Sequence, residues 1–150
     1  MPERERDEDR MHQHIETIII ETPGQGFTDI SRDVARKLAA AGASEGLLTL
    51  FIRHTSASLT IQENADPDVR HDLLDALARL APADGDYLHT VEGPDDMPAH
   101  IKTMLTQTSL AVPVSGGRMM LGTWQGLYVV EHRVRPHRRE VVLHFSGEAG

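Results

Sequence analysis

Leu110-Ala111-Val112-Pro113-Val114-Ser115-Gly116-Gly117-Arg118-Met119-Met120-Leu121 is the stretch that decides the fold. Two apolar runs flank a Ser-Gly-Gly turn, and paired glycines supply the positive φ angles that a tight hairpin needs. Leu127 to Val134 and Glu140 to Ser146 read as two further strands around a polar loop at Pro136-His137-Arg138-Arg139. The last third is therefore expected to be antiparallel sheet. Upstream, His14 to Glu21 alternates and then turns β-branched, and Pro23-Gly24-Gln25-Gly26 makes a turn. Leu47 to Arg53 and Ser58 to Gln62 add two strands. Asp29 can cap a helix carrying Ile30, Val34, Leu38 and Ala41, with Gly42 as its stop. Asp66-Pro67 opens a second helix, with Val69, Leu73, Leu74, Leu77 and Leu80 as one apolar stripe. Asp95 or Asp96 caps a third, with Pro98 in its first turn and Ile101, Met104 and Leu105 as its buried face. The sum is an α+β fold, mostly antiparallel sheet or sandwich, with about seven strands and three helices.

The 150 residues fit one domain, over residues 13–150. Residues 1–12 read as a disordered tail, the first ten of them almost wholly charged. There is no cysteine, which excludes disulfides, zinc-thiolate sites and a thiol nucleophile. Ile18-Ile19-Ile20 is far too short to span a membrane and no secretory apolar region is visible, so the expected compartment is the cytoplasm. A formal net charge of -8 argues against nucleic-acid binding, which needs a basic footprint.

The chemistry concentrates between His54 and His132, where His54, His89, His100 and His132 fall among turn-forming and acidic residues. Neutral imidazole suits zinc, and three histidines with one open position is a common catalytic arrangement. His89, His100 and His132 sit at element ends or on strands, where rigid backbone can hold a metal. Their spacing forms no compact metal motif, and a lone histidine is more often a surface or hydrogen-bonded residue. Glu63, beside Asn64, is either a general base or a solvated strand end. If the two strands flanking the 53–57 turn pair, Glu63 and His54 end near one edge of the same pocket. Asp95 and Asp96 read first as helix caps, with ligand orientation as a second role. Ser56 and Ser58 match no nucleophile elbow, but a hydroxyl-rich turn can hold a phosphate. Arg118 belongs to the hairpin turn or meets an anion, and Lys102 is the other candidate for a phosphate. Trp124, between Gly122 and Gly126, is core or stacks on a ring-shaped ligand.

Four longer motifs carry a resemblance. They are His54-Thr55-Ser56-Ala57, Thr60-Ile61-Gln62-Glu63-Asn64, Gly93-Pro94-Asp95-Asp96-Met97-Pro98-Ala99-His100-Ile101-Lys102, and Leu121-Gly122-Thr123-Trp124-Gln125-Gly126 followed by Glu131-His132-Arg133. Together, over residues 14 to 148, they resemble the YjbQ family, also called UPF0047 or secondary thiamine-phosphate synthase. The resemblance implies a small α+β domain that forms a homotrimer. It implies a metal held by His89, His100 and His132, with His54 and Glu63 lining the pocket. It implies a weak thiamine-phosphate synthase activity on a phosphorylated small molecule. Zinc fits the histidine set, and magnesium accompanies a diphosphate substrate. Two other readings fit the same residues: a metal-dependent hydrolase of a phosphorylated or acyl metabolite, and a non-catalytic small-molecule or metal-binding trimer.

Overall fold

The computed structural model describes residues 11–150. The charged stretch over residues 1–10 lies outside the described residues. The domain starts one residue earlier than its sequence boundary, since His12 is already in the first strand.

Among the described residues, eight strands and three helices follow in the order β1 (His12–Thr22), β2 (Gly26–Asp29), α1 (Ser31–Ala40), β3 (Ala43–Ile52), β4 (Ala57–Glu63), α2 (Pro67–Leu80), α3 (Asp96–Leu105), β5 (Ser109–Ser115), β6 (Arg118–Met119), β7 (Gln125–Glu131) and β8 (His137–Ala149). They form a five-stranded sheet, β1-β8-β3-β5-β6, and a three-stranded sheet, β2-β7-β4. All strand pairs are antiparallel. The α+β sandwich read from the sequence is the fold of the chain.

The core lies between the sheets. Ile18, Ile20, Leu48, Leu50, Ile52, Val141, Leu143 and Phe145 come from the large sheet, and Leu59, Leu127 and Val129 from the small one. Alternation along β1 and β3 sends Ile15, Ile19, Leu47 and Phe51 to the outer face of the large sheet, where they stay exposed. Val34 and Leu38, four apart on α1, are buried in the same core. Gly116 and Gly117 turn the β5–β6 hairpin at φ 59° and 76°, the two positive angles of a type I′ turn.

Four sequence readings need correction. The Pro23 to Gly26 turn runs straight into β2, which pairs with β7 through Phe27↔Val130. Two glycines hid that strand. Pro136 to Arg139 is not a loop between paired strands. The chain crosses from one sheet to the other there, and His137 to Arg139 already belong to β8. The strands on either side of residues 53–57 do not pair, because β3 and β4 lie in different sheets. The third helix is turned over: Met104 is 88% and Leu105 53% exposed, while Asp96, Pro98, Ala99 and Lys102 are buried. Its inner face is polar because it covers the end of the small sheet where the histidines sit.

Candidate functional site

The loop before α3 and the end of β7 are tied together by one guanidinium. Arg133 donates from Nε to Asp95 Oδ2 at 2.9 Å, from Nη1 to Asp96 Oδ1 at 2.9 Å, and from Nη2 to the Glu92 carbonyl at 2.8 Å. Asp95 Oδ2 also accepts the Val134 N–H at 3.0 Å. Asp95 therefore makes no side-chain cap bond to α3, and its role is to clamp Arg133. The Arg133 hydrogen bonds outweigh partial burial and hold the Asp95 carboxyl below its usual range.

Asp96 turns its second oxygen toward two imidazoles. Oδ2 lies 2.6 Å from His89 Nε2 and 3.1 Å from His100 Nε2. Burial opposes the charge on Asp96, but His89, His100 and Arg133 together hold its carboxyl below its usual range. Asp96 and His100 are four apart on α3, which puts them on one face. One donor atom from each of His89, Asp96 and His100 lies within 4.8 Å of the other two.

The proton count at His100 is informative. Nδ1 lies 2.8 Å from the Thr55 carbonyl, which can only accept, so Nδ1 carries hydrogen. In the neutral ring Nε2 is then a bare lone pair facing a carboxylate oxygen. Two lone pairs at 3.1 Å repel unless a proton or a cation lies between them. A backbone carbonyl on the far ring nitrogen is also the support that metal-bound histidines ordinarily have. Two imidazoles and one carboxylate thus fit a divalent metal, zinc among them.

His132 lies apart from this group. It is 1% exposed, its backbone N–H donates to the Ser56 carbonyl, and Nε2 is 2.9 Å from Ser58 Oγ. Ser58 Oγ is 2.6 Å from Thr106 Oγ1, which is 2.8 Å from the Lys102 carbonyl. Three short contacts need three protons. Only one assignment supplies them: Thr106 donates to the Lys102 carbonyl, Ser58 to Thr106, and His132 Nε2–H to Ser58. His132 is then left with a free lone pair at Nδ1. Burial, reinforced by the charge of Lys102, pushes its pKa down to about 4, so the ring is neutral at pH 7.

The other candidates divide between the two ends of β4. Ser56 accepts from the buried Arg139 at 3.0 Å, and Arg139 also pairs with the fully buried Glu131. His54 accepts the Glu140 N–H at Nε2, 2.8 Å, and burial followed by the Arg139 charge lowers its pKa. It lines a cleft of about 720 Å³ with Thr55, Thr103 and Thr106. Lys102 completes this end, 7% exposed beneath α3. Glu63 stands at the opposite end of β4, roughly 20 Å along a seven-residue strand. Its Oε2 accepts the Ala65 and Asp66 N–H groups at 3.0 and 2.8 Å, so it secures the entry to α2. Asn64 pins the neighbouring turn through the Trp124 and Gln125 carbonyls, and Trp124 is 63% exposed there. Arg118 lies elsewhere again, in a cleft between α1 and β6. The structure thus brings His54, Ser56, His89, Asp95, His100, Lys102 and His132 to one end, and leaves out Glu63, Asn64, Trp124 and Arg118.

Sequence reasoning reads Asp96 first as a helix cap, with ligand orientation second, and does not name it as a metal ligand. The signal was its four-residue spacing from His100 on a helix. Glu131 and Arg139 were missed because their pairing joins two sheets across a crossover that looked like a loop.

Among the described residues, no helix is long and apolar enough to cross a membrane. The sequence profile described as "UPF0047 protein YjbQ-like" matches residues 15–148. A UPF0047 protein of Synechocystis is 52% identical over 137 residues, covering 91% of this chain and 93% of that protein. The UPF0047 protein YjbQ of Escherichia coli O157:H7 is 42% identical over 133 residues, with coverage of 88% and 96%. A crystal structure of a conserved hypothetical protein of Thermus thermophilus superposes with a TM-score of 0.76 at 40% identity, covering 85% of this chain and 97% of that one. A YjbQ-like protein of unknown function from Sulfolobus solfataricus gives a TM-score of 0.85 at 21% identity, covering 93% of this chain and all of that one, a likeness of fold.

Proposed function

The chain belongs to the YjbQ-like UPF0047 family, and we propose that it is a metal-dependent enzyme acting on a phosphorylated small molecule. The observation that carries this reading is the Asp96 carboxylate oxygen set between Nε2 of His89 and Nε2 of His100. His89, Asp96 and His100 would hold the metal. A bound zinc supplies Lewis-acid polarisation of a substrate oxygen. The chain's own residues do the rest. Arg133 fixes Asp96 and the Thr55 carbonyl fixes His100, so both donors are held in place before a ligand arrives. His132 Nδ1 is a neutral acceptor at the same end of the sandwich, apart from this set and available to receive a proton.

Thiamine-phosphate synthesis is the first reaction to assay. There a thiazole nitrogen forms a C–N bond as a pyrimidine methylene loses diphosphate. Hydrolysis of phosphate esters is the second. The test measures zinc content and turnover together. Wild type should carry about one divalent ion per chain, and Asp96→Asn should lower metal affinity about 10-fold or more. Full zinc content in both Asp96→Asn and His100→Ala would remove the metal assignment. A metal-loaded wild type without turnover on either substrate class would make the chain a binding protein.

The assembly we propose is a homotrimer. In α2, Val69, Leu73, Leu74 and Leu77 share a face, yet no residue of that helix is buried within the chain. Ile15, Ile19, Leu47 and Phe51 are exposed on the outer sheet face, and Met104 and Leu105 on α3. So much uncovered apolar surface on a small domain fits contact with further copies. Light scattering that gives a strict monomer at micromolar concentration would refute it.

A further inference from the structure

Lys102, Arg133 and Arg139 lie at the His132 end of the fold, and among the described residues two of the three have ion-pair partners. Arg133 is taken up by Asp95 and Asp96, and Arg139 by Glu131. Lys102 is different. Among the described residues its amine makes no hydrogen bond and no ion pair, although the residue is 7% exposed. Asp95 attracts it through space, which opposes the effect of burial. Yet both Asp95 oxygens already accept from Arg133, and one also from Val134. Among the described residues, no fully buried side-chain nitrogen or oxygen lacks a partner. The unpaired Lys102 Nζ and His132 Nδ1 must therefore reach accessible space.

An ammonium withdrawn from most of its water and given no counter-ion is costly. The cost is recovered when an anion arrives, and lysine is a strong point-charge partner for phosphate. Beside it, the His132 Nδ1 lone pair can accept from a protonated phosphate oxygen. A metal at His89, Asp96 and His100 would hold a neighbouring oxygen of the same substrate. We propose that Lys102 and His132 form a phosphoryl-binding subsite beneath α3, with the Lys102 ammonium as the group that holds the oxyanion. The subsite rests on reading this end of the sandwich as the substrate site, and it predicts affinity for inorganic phosphate without metal as well as with it.

The probe is inorganic phosphate, titrated by calorimetry into the full chain at constant ionic strength, both after chelator treatment and after zinc loading. Acetate at equal concentration is the control. Wild type should bind phosphate more tightly than acetate in both forms. Lys102→Met keeps the buried stem and removes the charge, and should weaken phosphate at least about 10-fold. Lys102→Arg should restore part of the loss, and Arg118→Ala should change nothing. If Lys102→Met fails to fold, the wild-type chain still decides, because the Lys102 side-chain amine resonance, assigned from Lys102→Arg, must move when phosphate is added. No phosphate binding by wild type, acetate bound as tightly, undiminished binding in folded Lys102→Met, or loss through Arg118→Ala would each overturn the proposal. Zinc content is read on the same samples. Lys102-dependent phosphate binding in a chain that never takes up zinc would sink the metal reading and leave this one standing.

Discussion

Glu131 and His132 are neighbours in the chain, 0% and 1% exposed, and their surroundings could hardly differ more. Glu131 is saturated: it accepts from Thr22 Oγ1 at 2.6 Å, from Arg139 Nε at 2.8 Å and Nη2, and from the Arg133 N–H at 3.1 Å. Burial opposes its charge, but Arg139 and Thr22 prevail and keep the carboxyl below its usual range. His132 has one side-chain partner, Ser58, and one ring nitrogen left over. The same contrast separates Arg139, which donates to four acceptor oxygens of Glu131 and Ser56, from Lys102, which has no acceptor among the described residues. Equal burial therefore marks two different things. A polar group with every bond made is scaffold, and a polar group with bonds left open is a site.

The sharpest way to break this contrast is to delete one cation from each side. Arg139→Met leaves Glu131 charged and buried without its partner, and should cost about 3–5 kcal/mol in urea unfolding. Lys102→Met removes an unpaired charge and should cost under ~1 kcal/mol or stabilise the fold. Equal losses would show that Lys102 is scaffold too.

Acid comes next. The His132 pKa falls from 6.5 in the unfolded chain to about 4 in the fold. A histidine with a lowered pKa binds fewer protons folded than unfolded, so its contribution is present above pH 6.5 and lost as pH falls toward 4. That shift corresponds to a loss of about 3 kcal/mol at most between those limits. Replacing His132 by Asn should flatten that part of the stability profile in metal-free protein. An unchanged profile would mean that the ring is open to water.

Smaller effects test the relay and the far end. Ser58→Ala leaves His132 Nε2 and Thr106 Oγ1 without their shared partner and should cost about 2 kcal/mol, read as a shift in the urea midpoint. It should also release the His132 tautomer, visible in ¹⁵N spectra. Glu63→Ala should cost about 1 kcal/mol through the lost support at the start of α2 and leave zinc affinity unchanged. A Glu63→Ala chain that lost its metal would bring the two ends of β4 back into one site.

The strands other than β2 were legible because alternation and turn chemistry are local signals: Gly116-Gly117 and the β-branched run Ile18 to Ile20 are read within a few residues. The Asp66 cap was legible in the same way, and its side chain accepts the Asp68 N–H at 2.9 Å. What could not be read was which elements meet. β3 and β4 are adjacent in sequence, yet separate sheets hold them, and that moved Glu63 away from His54. α3 was misread for a related reason. Met104 and Leu105 predict an inner apolar face, but the helix roofs a polar cluster and turns them outward. His89 and His100 were found from residue type, and the carboxylate between them only from coordinates.

The pairing of β1 with β8 carries a consequence for how the chain is made. β1 has one neighbour in its sheet, β8, and their register runs from Thr22↔His137 to His12↔Gly147. β1 must therefore wait for β8. At ordinary synthesis speeds the interval is on the order of ten seconds. During it Ile18 and Ile20 have no partner strand, while β2, β4 and β7 form their own sheet without β8. The large sheet thus closes only after β8 has been made, and until then the unpaired nascent β1 offers Ile18 and Ile20 to a chaperone.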